Sequence, residues 1–432
     1  MIYKLCSILC VGLISLQSIT HAAIVAWKEN IPSSLAPFQN NPKVLADLTQ
    51  NSIFIYAHPT TKTFIPTAKN QNPTVSFTSS ALVVPVGVEN VRNILENYQQ
   101  YVELFPNLKS AKIIEKTDNI TQVKYRVSIP TPIPVLNFNE DLTFQHQLTE
   151  NSLSSLVIDA PIPYGMGKFE WFSLGRNKTL ITLTQWSDLN QSKGFLITKI
   201  LNAIPEVKLG IPTGTNAFIL ESLRKRLNDT PTNALAAGQL PQQTLNSAQL
   251  EKITQISRAS QLPVSFIHSP TSVPYQHGAE SMRFSTTYHY YDQTPQQLKK
   301  WTQPNNYKAL FPRQIKSITT SALQNKSQNA DFKVSVGLGV IQIPFNFKMN
   351  FNYPTETENN FYANGGDLKY LKGKMQFTPL NQGSLLKMTT ATKIDKSAPF
   401  LLRAVRSLPY HEMLPVIGGN TVFAQKIKSS KS

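Results

Sequence analysis

The chain has 432 residues, with 42 lysines and arginines against 25 aspartates and glutamates, for a net charge of +17. Its two cysteines, Cys6 and Cys10, lie within the first ten residues, so the rest of the chain has no disulfide, thiol nucleophile or cysteine metal site. The basic residues are scattered apart from Arg224, Lys225 and Arg226; with no aromatic-and-basic binding motif, that pattern argues against nucleic acid and reads first as a solvated basic surface, with an anionic membrane surface as the candidate partner.

Lys4 precedes an apolar run at residues 5–19, followed by Thr20, His21 and Ala22. A short basic start, an apolar core and small residues at its end describe a secretory signal peptide cut after Ala22. The run is shorter than the roughly 20 residues a membrane-spanning helix needs. We therefore expect an exported protein, periplasmic in a bacterial envelope, and soluble once processed.

A short helix is predicted at residues 43–48, then a strand at 52–57 ending in His58 and Pro59, then a strand at 74–84. From Val88 the apolar residues Val91, Ile94, Leu95 and Tyr98 fall at helical spacing. Leu104-Phe105-Pro106 should stop this helix, because proline lacks the amide hydrogen and disfavours the helical region for its predecessor. Strands follow at 110–114, 121–129, 136–148, 154–159, 167–172 and 179–186, joined by turn-forming residues. Such hairpins make an antiparallel sheet. A last helical region at 194–227 contains Pro205, and the glycines at 210–214 are expected to break it.

Residues 228–243 have the composition of a linker. Beyond them the elements return in order. A helix at 248–259 leads to VSFIHSP at 264–270, which parallels FIYAHP at 54–59. YKALFP from Tyr307 repeats YVELFP from Tyr101, 206 positions on. PVLNFNEDLTF at 134–144 answers IPFNFKMNFNY at 343–353, an alignment that sets Glu140 on Met349. GKFEWF from Gly167 answers GKMQFT from Gly373, and TLITLT from Thr179 answers SLLKMT from Ser384. The closing helix again carries a proline, Pro409, and glycines, Gly418 and Gly419. One fold used twice is the reading: signal peptide 1–22, a first domain with an N-terminal extension at 23–227, linker 228–243, and a second domain at 244–432.

The stretch VPVGVENVRNILENYQQYVELFPNLKSAKII (84–114) and the Gly167–Trp171 pair in GKFEWF resemble the START-like (SRPBCC) superfamily, in particular its polyketide cyclase and coenzyme Q-binding type domains. The second half departs from that pattern, with Phe377 in the tryptophan position. The resemblance implies an α+β protein of two tandem helix-grip domains, each a curved antiparallel sheet wrapped around a long C-terminal helix. It also implies an apolar ligand between sheet and helix, although some members of the superfamily are enzymes and fold does not settle function.

Alternation along 136–148 places Phe138, Glu140, Leu142, Phe144 and His146 on one face; the corresponding strand places Phe347, Met349, Phe351 and Tyr353 together. With Trp171 and Phe377, these are the expected ligand-lining residues. Glu140 is the outlier, since an isolated carboxylate on an apolar face is costly unless paired, hydrated or protonated. Lys124 and Arg126 should project from the opposite face of their strand and leave it alone. Glu140 and Asp141 are adjacent and point to opposite faces, so they cannot act as a carboxylate pair. No histidine pair has zinc spacing, no nucleophile elbow occurs, and no dinucleotide fingerprint follows a strand; no catalytic residue, metal or cofactor is assigned. His58 and His268 recur before prolines, which suggests structural turns. The function read from the sequence is binding or carriage of a lipid or quinone-like molecule. The alternatives are a cyclase- or hydrolase-like enzyme using Glu140 or His146, and an envelope interaction protein with filled cores.

Overall fold

The computed structural model describes residues 24–430 apart from 130–137, 194–197, 199–200, 203–204, 228–232, 238, 276–277, 339–340, 397, 401–402, 404–405 and 407–408. The signal-peptide reading and the proline run at 130–134 fall outside the described residues.

The first half contains helix α1 (Pro42–Thr49) and strands β1 (Ile53–Ala57), β2 (Thr61–Lys62), β3 (Thr74–Val75) and β4 (Thr78–Val84). Helices α2 (Val88–Glu96) and α3 (Tyr101–Leu104) follow, with a 3-10 turn between them. The strands then run β5 (Leu108–Lys116), β6 (Ile120–Ile129), β7 (Phe138–Leu148), β8 (Ser152–Asp159), β9 (Gly165–Gly175) and β10 (Lys178–Ser187), before the long helix α4 (Val207–Leu227). The second half opens with β11 (Asn233–Ala234) and α5 (Ser247–Ser260), then β12 (Val264–Ile267), β13 (Thr271–Tyr275), β14 (Gly278–Met282) and β15 (Phe284–Tyr291). Helices α6 (Pro295–Leu298) and α7 (Tyr307–Leu310) precede β16 (Ile315–Thr320), β17 (Ser327–Leu338) and β18 (Ile341–Thr355). The chain ends with β19 (Glu358–Gly366), β20 (Tyr370–Pro379), β21 (Ser384–Lys393) and helix α8 (Leu414–Ser429).

Sixteen of these strands form one sheet, ordered β16-β17-β18-β19-β20-β21-β15-β12-β1-β4-β10-β9-β8-β7-β6-β5. The order reads as the same eight-strand arrangement from either end. The two halves meet where β1 pairs antiparallel with β12, Ile55 facing Ser265 and Phe54 facing Phe266. The expected antiparallel sheet is therefore present, but as a single sheet shared by both halves.

Each Leu-Phe-Pro stop behaves as its chemistry requires. Phe105 leaves the helix with extended dihedrals (φ −109°, ψ 109°), and Phe311 departs at φ −129°, ψ 59°. The preceding helix is not continuous as predicted: Tyr101 donates its hydroxyl to the Leu95 carbonyl at 2.6 Å, satisfying an orphan acceptor where the chain turns. The strand predicted at 74–84 also divides, into β3 and β4. The predicted break at 210–214 does not occur. Helix α4 runs through Gly210, Pro212 and Gly214, because tertiary packing against α8 outweighs their low helix propensity.

Helix α4 packs against β4, β1 and β10, and α8 against β15 and β21. Between α4 and its strands lie Leu82, Val84, Trp171, Leu183, Leu220 and Leu223, all buried. The opposite face is covered at its centre by α1 and α5, over a core that spans both halves through Phe54, Tyr56, Phe266 and Tyr288. Further out, residues 25–35 lie as a strap on the same face of the first half. Gln145 clasps the Val25 backbone at both its amide and its carbonyl (2.8 Å each). Lys168 reaches Glu29 and the Ile31 carbonyl, and Glu170 accepts from Ser34.

A buried ionic cluster joins the halves. Glu221 on α4 has no solvent exposure and receives Arg224 at 2.9 Å and, from the second half, Arg283 at 2.7 Å. Burial raises its pKa, but the two guanidiniums outweigh burial and hold the carboxyl below its ordinary value.

Candidate functional site

The expected lining residues come together on the faces toward α4 and α8, mostly as packed core. His146 is buried, with Nε2 2.9 Å from the Tyr125 hydroxyl and Nδ1 2.8 Å from the Ser155 hydroxyl. Its ring stacks on Tyr98 at 4.6 Å and 13°. Burial pulls its pKa down to about 3, so it is neutral. Trp171 is buried, and its indole N–H has no acceptor among the described residues. In the second half Met349, Phe351, Tyr353 and Phe377 are buried, and half-buried Phe347 lies flat on Phe332 at 4.8 Å.

Toward the start of β7 the packing loosens. Phe138 is the strand's first residue, while Leu142 and Phe144 are half-buried against the core of the first half. Glu140 is half-exposed opposite Val127. Lys124 and Arg126 do point away from it: both pair with Asp141, at 2.9 and 2.8 Å, and Arg126 first and then Lys124 pull that carboxyl down to about 2.

The alignment of Glu140 with Met349 needs correction. Both long strands shift register midway, between Thr143 and Phe144 and between Lys348 and Met349, and β18 shifts again between Asn352 and Thr355. Superposing the midway bulges sets Phe144 on Met349, His146 on Phe351 and Glu140 on Phe345. The misleading signal was the shared Asn-Phe pair at 137–138 and 346–347; pairing register, which fixes which side chains share a face, overrides it.

His58 and His268 are more than turn residues. His58 Nε2 lies 2.7 Å from the Ser79 hydroxyl, which lies 2.6 Å from Thr184. His268 Nε2 repeats this with Thr286 at 2.8 Å, itself 2.9 Å from Thr389. The closing helices repeat a polar anchor too. Asn216 bonds Ser80 at 2.8 Å and the Thr78 carbonyl, and Asn420 bonds Thr390 at 2.7 Å and the Ser285 carbonyl. The two carbonyl contacts fall on equivalent strands, β4 and β15, while the hydroxyl partners differ, Ser80 on β4 and Thr390 on β21.

Helices α4 and α8 meet at glycines. A Cβ on Gly210 would lie 3.1 Å from the Gly418 Cα, so any larger residue there would press on the backbone of α8. Beside the crossing opens a groove of about 620 Å³, lined by Gly210, Gly214, Phe218, Phe311, Leu414 and Val422, among others. Phe105 and Phe311 are half-buried and equivalently placed: each stacks on a ring of its closing helix, Phe218 at 6.3 Å and Phe423 at 6.1 Å. At the rim Glu206 is held by Lys426 at 3.2 Å and Gln314 at 3.3 Å. The groove was legible only as a Gly-x-x-x-Gly spacing (Gly210, Gly214), the spacing that lets helices approach closely. No cluster of metal-ligating side chains occurs among the described residues, and no described helix is long and apolar enough to cross a membrane.

No family model and no curated protein matches the chain. Among solved structures it is similar to the di-domain aromatase/cyclase StfQ from the steffimycin biosynthetic pathway, at 9% identity over 81% of this chain and 97% of that one, TM-score 0.25. It is also similar to the ZhuI aromatase/cyclase from Streptomyces sp. R1128, at 19% identity over 35% and 94%, TM-score 0.26. A STAR-related lipid transfer protein fragment from Xanthomonas axonopodis matches at 14% identity over 36% and 87%, TM-score 0.27. Likeness at these scores carries no argument about ligand or activity; the internal duplication stands on the repeated segments and the equivalent strand order within this chain.

Proposed function

We propose that the protein binds and carries an apolar ligand, a lipid or quinone-like molecule, in the bacterial envelope after export, on a pair of helix-grip units. The observation that supports this reading is the groove along α4 and α8, whose walls are aliphatic and aromatic and whose floor is glycine. Its volume is that of a small-molecule site. Binding would be driven by desolvation, at roughly 25 cal/mol per Å² of apolar surface removed from water. Thr215, Gln314 and Glu206 at the groove would meet the polar end of the ligand. A second place for the ligand is the looser end of the first interior, at Glu140, Leu142 and Phe144, because the strand keeps these residues half-buried there. The cyclase- or hydrolase-like alternative is not favoured: both ring nitrogens of His146 are engaged within the core, away from any substrate needing a proton.

The test is native mass spectrometry and lipid extraction of the purified protein, followed by titration with an environment-sensitive fluorescent fatty acid. Gly419 lines the groove, and a Cβ there meets nothing within 4 Å, so Gly419→Leu should fill the groove without a clash. Loss of fatty-acid binding in Gly419→Leu is the expected result. Binding unchanged in Gly419→Leu but weakened in Glu140→Met would move the ligand to the first interior. Failure of the unaltered protein to bind any apolar probe would end the carrier reading.

A further inference from the structure

The two halves treat the face opposite α4 and α8 differently. In the first half the 25–35 strap closes over Leu156 and Met166, which are buried with Trp27, Ile31 and Tyr164, and Trp186 packs beside them. The registers identify the counterparts. Ser154 pairs Lys168 as Asn360 pairs Lys374, so Leu156 corresponds to Tyr362 and Met166 to Lys372. Trp186 lies opposite Met166 as Ala391 lies opposite Lys372. Three residues that fill this face in the first half thus become a 40%-exposed tyrosine, a lysine and an alanine. Among the described residues preceding α5, 233–237 and 239–242 do not cover what those three leave. A cleft of about 990 Å³ remains, lined by Leu235, Leu240, Tyr275, Tyr362, Lys372 and Lys374, among others.

The charges in this cleft are not equivalent. Lys374, the counterpart of Lys168, is paired with Glu358 at 2.7 Å. The Lys372 ammonium makes no ion pair or hydrogen bond among the described residues although the residue is half-buried. A partly desolvated ammonium with no counter-charge is unfavourable in the empty protein, and burial lowers its pKa accordingly. Tyr275 spends its hydroxyl on the Ala363 and Leu371 carbonyls, which fixes its ring as a wall.

We propose that this cleft is a second ligand site, which takes a small amphiphile with an aromatic or aliphatic body and one carboxylate, the carboxylate meeting Lys372. The body would lie between Leu235, Leu240 and the rings of Tyr275 and Tyr362. The site is on the opposite face of the sheet from the groove between the long helices and does not depend on it.

Isothermal titration of the full chain with 2-naphthoate, and with uncharged 2-naphthalenemethanol, tests this. Naphthoate should bind and the alcohol should bind about tenfold more weakly or worse, the scale of one charge-assisted contact. Lys372→Met, which installs the first half's residue, should weaken naphthoate binding by a similar factor, and Lys372→Arg should keep it. Gly419→Leu should leave naphthoate affinity unchanged while abolishing fatty-acid binding, so the two sites can fail separately. Absence of naphthoate binding, or equal affinity in the unaltered protein and Lys372→Met with both folded by thermal melting, would overturn the proposal.

Discussion

Glu221 is the residue on which the centre of the molecule depends most. Its two arginines are themselves nearly inaccessible to solvent. Glu221→Gln would leave both buried without their counter-charge, and breaking such a cluster costs about 3–5 kcal/mol; urea unfolding at neutral pH measures it. The carboxyl's folded pKa lies below its unfolded one. Its contribution is therefore complete above the ordinary glutamate range and is lost as pH falls through the depressed folded value. The histidines act in a higher window. His58 and His268 are lowered to about 4, and His146 and His289 to about 3, all chiefly by burial. The unfolded chain takes up these protons near pH 6.5 and the folded protein refuses them, so stability is full above that value and declines as pH falls toward 4 and then 3. The decline is about 1.4 kcal/mol per pH unit per histidine. Unfolding free energy measured from pH 7.5 to 5 should fall accordingly, with a shallower slope in a His58→Gln, His268→Gln double variant. Glu140→Met, at a half-exposed position, should change stability by less than about 0.5 kcal/mol; a clear loss would make Glu140 a structural partner. None of the Glu221 cluster was legible in the sequence. Arg224 appears there only as part of a basic triplet, and Arg283 becomes its neighbour through the pairing of the halves.

At the scale of elements, the crossing of α4 and α8 makes an asymmetric prediction. A methyl at Gly210 would press on the Gly418 backbone, whereas a Cβ at Gly418 meets nothing within 4 Å. Gly210→Ala should cost about 1–3 kcal/mol, the range for overpacking. Gly418→Ala should be neutral or gain about 0.5–1 kcal/mol from helix propensity. Thermal unfolding of the two variants compares them directly, and equal effects would mean the helices do not meet as described. The strands, the Leu-Phe-Pro stops and the capped helix α5 were legible because period, proline and an Asn246–Gln249 capping box are local signals. The continuity of α4 was not, since propensity argues for a break and only the distant partner helix argues against it. The register of β7 against its counterpart failed for a similar reason: a bulge leaves no mark in composition.

The whole molecule differs most from what a tandem repeat in sequence suggests. Two domains on a linker would unfold separately, but here β1 and β12 share hydrogen bonds and Phe54 meets Phe266 at 4.8 Å. Phe54→Ala should remove about 3–5 kcal/mol from a single calorimetric transition that includes both halves. Two resolved transitions, with only one of them shifted, would show the halves to be independent. Duplication was visible in the chain; the joining of its copies was not, because a strand's edge partner is chosen by geometry rather than by its own residues. The pairing also bears on ancestry. Equivalent strands running antiparallel across a pseudo-twofold axis are what a self-complementary dimer of identical single-unit subunits would form. Fusing two such subunits into one chain removes the need for identity: each copy keeps the contacts that hold the other, while its remaining surfaces are free to diverge. The difference between Met166 and Lys372 at equivalent positions fits that picture: in a homodimer a lysine there would appear twice and open the buried plug on both sides.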